Sequence, residues 1–174
     1  MDKDPYSGLS WMTEEMKNEL MKRDKIVLEE DFQGLFMLQD NSDFSIALHE
    51  ILVRRYERDP NSLNTVKLDL FLCMHLENAG QADSILTFLQ EWFPQYKERV
   101  IVSLMAIGAI KSSEIISQAV QLLPIDGSWF YDSSNEVSEE KMSKLDKEFS
   151  NYPDGFMREL YRKYADKHRN EIER

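Results

Sequence analysis

One cysteine, six glycines and five prolines are all that 174 residues hold of the types that most constrain a backbone. A lone Cys73 excludes an intramolecular disulfide and suits a reducing compartment. So few glycines and prolines, beside many Leu, Met, Glu and Lys, leave little material for the tight turns of an all-β protein and favour helices. No apolar run approaches the roughly 20 residues a membrane span requires. The longest, Val100 to Ile110, carries Ser103 and Gly108 inside it. The start, Met1-Asp2-Lys3-Asp4-Pro5, has neither the basic nor the apolar region of a secretory signal. A soluble cytoplasmic protein with no membrane association is expected. Positive charge is also in deficit, 21 Lys and Arg against 32 Asp and Glu, for a formal charge of -11. A negative field repels nucleic acid phosphates and anionic lipid, so neither is expected to bind directly; two readings stay open, a basic partner or a charge that serves only to keep the chain soluble.

What is present is enough for one core. A chain of this length buries roughly 70% of its unfolded surface, so a single domain spanning 1–174 is expected. Apolar residues at three- and four-residue spacing predict an all-α fold of about seven to eight helices packed as antiparallel neighbours. Leu9, Met12, Met16 and Leu20 mark a helix over 9–28. The cluster from Phe32 to Leu38 fits a short helix or a short buried extended piece, and periodicity does not choose between them. Phe44, Ala47, Leu48, Ile51 and Leu52 form a full stripe that Asn41 or Ser42 can cap. Ser62 or Asn61 is expected to cap the next helix, whose apolar crowding from Leu68 to Leu76 marks it as central. Asn78-Ala79-Gly80 reads as its C-cap and turn. Ile85, Phe88, Leu89 and Trp92 then share a face up to Pro94. Two further helices meet at Gly108 to Ser113, and a short link of that kind makes antiparallel neighbours. Residues 124–138 form one long loop with Trp129, Phe130 and Tyr131 in its middle. A helix opening at Ser138 and a last one after Pro153, bearing Tyr161 and Tyr164, complete the chain.

No chemistry-bearing constellation emerges. His49-Glu50 opens like a zinc-protease helix, but Val53 stands where the second histidine belongs. Cys73 and His75 are two apart on a helix and point to different faces. Cys73 therefore reads as a small buried apolar residue. In the loop, Gly127 follows Asp126 directly and breaks the spacing of a calcium-binding helix-loop-helix. No cofactor, no metal and no catalytic residue is expected.

The segment Tyr96 to Ala109 (Tyr-Lys-Glu-Arg-Val-Ile-Val-Ser-Leu-Met-Ala-Ile-Gly-Ala), the helix that follows to Leu123-Pro124, and Leu145-Asp146-Lys147-Glu148-Phe149 resemble the DNA mimic protein 19-like domain family. The resemblance covers roughly residues 60 to 170, which separates residues 1–60, the N-terminal helices, from a family-like core over 61–174. The family's usual Asn-Gly-Gly-Phe-like turn appears here as Asn78-Ala79-Gly80-Gln81. The resemblance implies an all-helical, often self-associating domain, hence a homodimer, and in the namesake an acidic surface that occupies a DNA-binding protein. Such mimicry requires carboxylates spaced like phosphates, about 3.4 Å per nucleotide along the axis of one strand. The sequence offers Glu29, Glu30 and Asp31, and a second set of Asp126, Asp132, Glu136, Glu139 and Glu140. Lys141, Lys144 and Lys147 follow the second set. Trp129 and Tyr131 add large, low-entropy contact area to the same surface, and their competing role is to pin the loop to the core. The expected function is that of a non-enzymatic interaction domain that binds a basic or DNA-binding protein through Asp126, Trp129, Tyr131, Asp132, Glu136, Glu139 and Glu140. The alternative is a small-ligand binder or enzyme whose pocket gathers distant residues such as Asn78, His75 and Tyr161.

Overall fold

The computed structural model describes residues 5, 6 and 8–174, so Met1 to Asp4 of the expected signal-free start lie outside the described residues. Ten α-helices and no strand appear among the described residues: α1 Glu14–Glu29, α2 Phe32–Phe36, α3 Asn41–Arg58, α4 Thr65–Ala82, α5 Lys97–Ile107, α6 Ile110–Leu122, α7 Phe130–Ser133, α8 Glu136–Ser150, α9 Met157–Lys167 and α10 Arg169–Ile172. Seven of them are long, and α2, α7 and α10 are single turns beyond the expected count. A π-helix at Thr87–Trp92 and two 3-10 turns complete the set. No helix among the described residues is long and apolar enough to cross a membrane.

Side-chain caps set where most helices begin. Thr13 caps α1, Asp31 caps α2 through the Gly34 N–H, and Asp40 caps α3 one residue before the expected position. The α1 face was expected to include Leu9, Met12, Met16 and Leu20, but only Ile26 and Val27 of this helix are buried. Between α3 and α4, Pro60–Ser62 curls into a 3-10 turn and Leu63 is extended, so α4 starts later than expected, with Asn64 as its cap. For α8 the cap is Asn135 rather than Ser138, which instead completes a reciprocal capping box at the third helical position. Gly108, at φ 90°, closes α5 in the left-handed conformation and folds α6 back within two residues.

The central helix is α4, with 11 of its 18 residues buried, and it packs against α3, α5, α8, α10 and the π-helix. Cys73 is fully buried in it. So is Asp69, whose carboxylate accepts hydrogen bonds from Ser103 Oγ and Tyr164 OH at 2.8 Å each and pairs with Arg99 at 2.5 Å. One buried charge thus holds α4 to α5 and to α9. The expected turn at Asn78-Ala79-Gly80 does not form, because α4 continues through it to Ala82. Here Gly80 serves close packing, since a Cβ on it would meet the Phe149 ring of α8 at 3.0 and 3.1 Å. The π-helix also shifts a register: its i to i+5 bonding, as in Phe93 N–H to Phe88 C=O at 3.0 Å, leaves Trp92 exposed while Ile85, Phe88 and Leu89 are buried. Pro153 lies in the turn before α9 and not in its first helical turn.

Gly80→Ala weighs a gain in helix propensity of about 1 kcal/mol against an overpacking cost of about 1–3 kcal/mol. Overpacking should win, with a net loss of about 1 kcal/mol in urea unfolding, and Phe149→Leu in the same chain should remove that loss. Equal losses with and without Phe149→Leu would disprove the contact as the cause.

Candidate functional site

The segment from Pro124 to Glu140 is held to the body by its middle. Phe130 is buried, and Gln90 of the π-helix reaches the backbone on either side of Trp129, donating to Ser128 C=O and accepting from the Phe130 N–H at 2.9 Å each. Around that anchor the loop coils into α7, shortening the irregular stretch the sequence suggests. Trp129 is half-buried on the core, whereas Tyr131 is exposed, with the two rings 6.1 Å apart. The aromatic run therefore divides: Phe130 and Trp129 pin the segment, and Tyr131 faces solvent.

Its acids divide in the same way. Asp126 accepts from the N–H and the hydroxyl of Ser128, bonds that hold its carboxyl below the usual range. Glu139 is half-buried and accepts from Ser134 Oγ at 2.6 Å. Asp132, Glu136 and Glu140 are exposed, and among the described residues no ion pair engages them. Beside them the same segment exposes Ile125 and Val137. The other acidic candidates are committed elsewhere: Glu30 clamps Arg55 and Arg58, Asp31 caps α2, and Glu29 stands 3.9 Å from Lys25.

A second feature is a cleft of about 230 Å³ between α3, α4 and the chain around α9, lined by residues that include Ser45, His49, Glu77, Asn78, Tyr152 and Arg158. The polar wall comes from α4, where Glu77 follows Asp69 by two turns. Tyr161 of α9 donates to Glu77 Oε2 at 2.9 Å, and the Tyr152 phenol also acts on the charge of this carboxyl. Burial raises the Glu77 pKa, opposed by the two phenols and by the Arg158 charge. In turn, burial and the Glu77 charge push the Tyr152 phenol up to about 12. Tyr152 sits at φ 55°, a left-handed conformation that a bulky side chain holds only when its surroundings enforce it. The enforcement is visible two residues on. Asp154 caps α6 from outside, accepting from the Lys111 and Ser112 N–H groups at 2.9 and 2.7 Å. Asn78 and Tyr161, of the pocket the sequence suggests, do line this cleft; His75 does not.

His75 instead lies 3.2 Å, Nδ1 to Nε2, from His49, a pair that spacing along one chain does not reveal. Its Nδ1 is also 3.1 Å from Phe71 C=O. A carbonyl only accepts, so Nδ1 of His75 carries the proton and His49 Nε2 presents a lone pair to it. Burial depresses both imidazoles, His49 to about 4, with the neighbouring His75 adding to the effect. A folded value below the unfolded one means that the unfolded chain takes up protons first. The neutral pair's stabilisation is thus complete above pH ~6.5 and fades as pH falls toward ~4. Relative to His49→Gln, the wild-type chain should lose about 1–2 kcal/mol of unfolding free energy between about pH 7 and pH 5. A difference that stays flat with pH would contradict the buried neutral pair.

No group of three or more His, Cys, Asp and Glu side chains able to hold a metal ion is found among the described residues. Comparison with known proteins adds one relation. No curated protein and no solved structure matches the chain. Residues 61–168, which run from the approach to α4 to the end of α9 and carry both the 124–140 segment and the α4 wall of the cleft, match the family described as DMP19-like protein. With well over half of its length so matched, the chain belongs to the DMP19-like protein family.

Proposed function

We propose that the chain is a non-enzymatic interaction domain of the cytoplasm that docks a basic, DNA-binding protein on the surface of residues 125–140. The observation that carries this reading is that Asp132, Glu136 and Glu140 stand exposed without ion pairs among the described residues, in the same segment as the exposed side chains of Tyr131, Ile125 and Val137. Unpaired carboxylates steer a cationic partner and set its orientation, while adjoining apolar area supplies affinity that salt does not screen. Asp126 and Glu139, fixed by their own hydrogen bonds, add charge at defined positions and cost little entropy on binding. The family's DNA-mimic namesake agrees with this choice of partner. The lysines of α8 limit the acidic face to the loop and the first turns, since Lys141, Lys144 and Lys147 are all exposed beyond it. The contact is therefore short, and a second copy of the chain would lengthen it. Direct binding to nucleic acid is disfavoured by the net charge of -11.

The test is parallel affinity capture from the native cell with the wild-type chain and with the D132N/E136Q/E140Q variant, followed by titration of the retained protein. A basic DNA-binding protein should be held by the wild type, released by added salt and by competing duplex DNA, and bound at least about tenfold more weakly by the variant. Equal retention by both chains, or binding indifferent to salt, would overturn the reading.

A further inference from the structure

The cleft beside α4 has features that docking at residues 125–140 leaves unused. At about 230 Å³ it falls below the roughly 300–1,000 Å³ of sites for drug-sized ligands, so its occupant is a small metabolite. Two opposite charges face it. Glu77 is held in the wall by Tyr161, and Arg158 lines the same cleft with its side chain partly exposed. The arginine acts on Glu77 electrostatically, yet no nitrogen of one lies within 4.0 Å of an oxygen of the other. A positive and a negative group are thus held apart across a space that a ligand can bridge. Arg158 is instead oriented by Ser42 Oγ at 3.2 Å and by Glu159 at 3.7 Å.

The Ser45 hydroxyl, on the α3 wall, is closed off from solvent and without a hydrogen-bond partner among the described residues, so it lies behind the ligand space rather than in it. Asn78 contributes an exposed side-chain amide on the same rim. Ile46, partly exposed, and Met74, buried behind it, give the cleft an apolar patch beside His49 and Gln81. A purely cationic ligand would meet Arg158, and a purely anionic one would meet Glu77. Only a molecule with both charges satisfies both walls.

We propose that this cleft binds a free α-amino acid with an apolar side chain, its ammonium group on Glu77, its carboxylate on Arg158, and its side chain against Ile46 and Met74. The Tyr161 phenol occupies one oxygen of the Glu77 carboxyl and leaves its remaining lone pairs to the ligand.

Calorimetric titration of the full chain with L-leucine, L-methionine and L-valine tests the proposal. The controls are 3-methylbutylamine, which is leucine without its carboxylate, and 4-methylpentanoate, which is leucine without its amine. At least one amino acid should bind with millimolar or tighter affinity, and the leucine fragments should bind at least about tenfold more weakly than leucine. E77Q and R158Q should each weaken amino-acid binding at least about tenfold, while D132N, on the separate acidic surface, should leave it unchanged. R158Q alters a half-exposed side chain and keeps the test decisive if E77Q fails to fold. No binding by any of the three amino acids, fragments as tight as leucine, or R158Q binding like the wild type would each overturn the proposal. None of these results bears on docking at residues 125–140, which is read separately through D132N/E136Q/E140Q.

Discussion

Everything in this fold answers to the burial of α4. A helix enclosed by α3, α5, α8, α10 and the π-helix has exposed residues only toward its ends, at Thr65, Asn78, Gln81 and Ala82, so each buried polar side chain between them must find a partner inside the protein. Asp69 sets the severest demand, because a carboxylate taken out of water costs several kcal/mol unless hydrogen bonds and an opposite charge replace the solvent. Arg99, Ser103 and Tyr164 meet that demand together, and in doing so they fix the positions of α5 and α9. The Arg99 guanidinium also donates to Ser103 Oγ, so the three groups around the carboxylate form one connected network.

Further along α4 the same constraint has a different outcome. Tyr164 reaches Asp69 and Tyr161 reaches Glu77, in opposite order along the two helices, so α9 serves both carboxylates. Asp69 is closed in on every side, whereas Glu77 keeps an opening between α3 and α4, and the cleft forms there. The acids of residues 126–140 belong to a third environment. They do not hold the core together, and Gln90 and Phe130 keep their segment in place without them. Charge in this protein is therefore sorted by burial into a structural group, a group at a cleft, and a surface group free to meet a partner.

Helical periodicity made most of the architecture legible, because apolar stripes such as Phe44, Ala47, Leu48, Ile51 and Leu52 depend only on residue spacing, and the structure buries all five. The crowding from Leu68 to Leu76 marked α4 as central for the same reason. Gly80 misled, since a glycine that closes a helix and a glycine that admits a neighbouring ring look alike until Phe149 is placed in space. Trp92 misled because a change from α to π winding leaves no periodic signature in six residues. The family was legible from Tyr96 to Ala109 and Leu145 to Phe149. The sites were legible only in part: the acids and aromatics of the loop are contiguous, so they stood out, and Asn78 and Tyr161 were named together. Ser45, Glu77, Tyr152 and Arg158 were not, because they are brought together only by the packing of α3 on α4 and by the turn before α9 that Asp154 fastens to α6.

The most direct test of this account is equilibrium unfolding of Asp69→Asn. The amide keeps the shape but leaves Arg99 without its counter-charge and gives Ser103 and Tyr164 a weaker acceptor. A cooperative loss of about 3 kcal/mol is expected, at the low end for a broken buried pair because Arg99 is partly exposed. A variant whose stability stays within about 0.5 kcal/mol of the wild type, the range of ordinary surface changes, would contradict the claim that this carboxylate organises the helices around it.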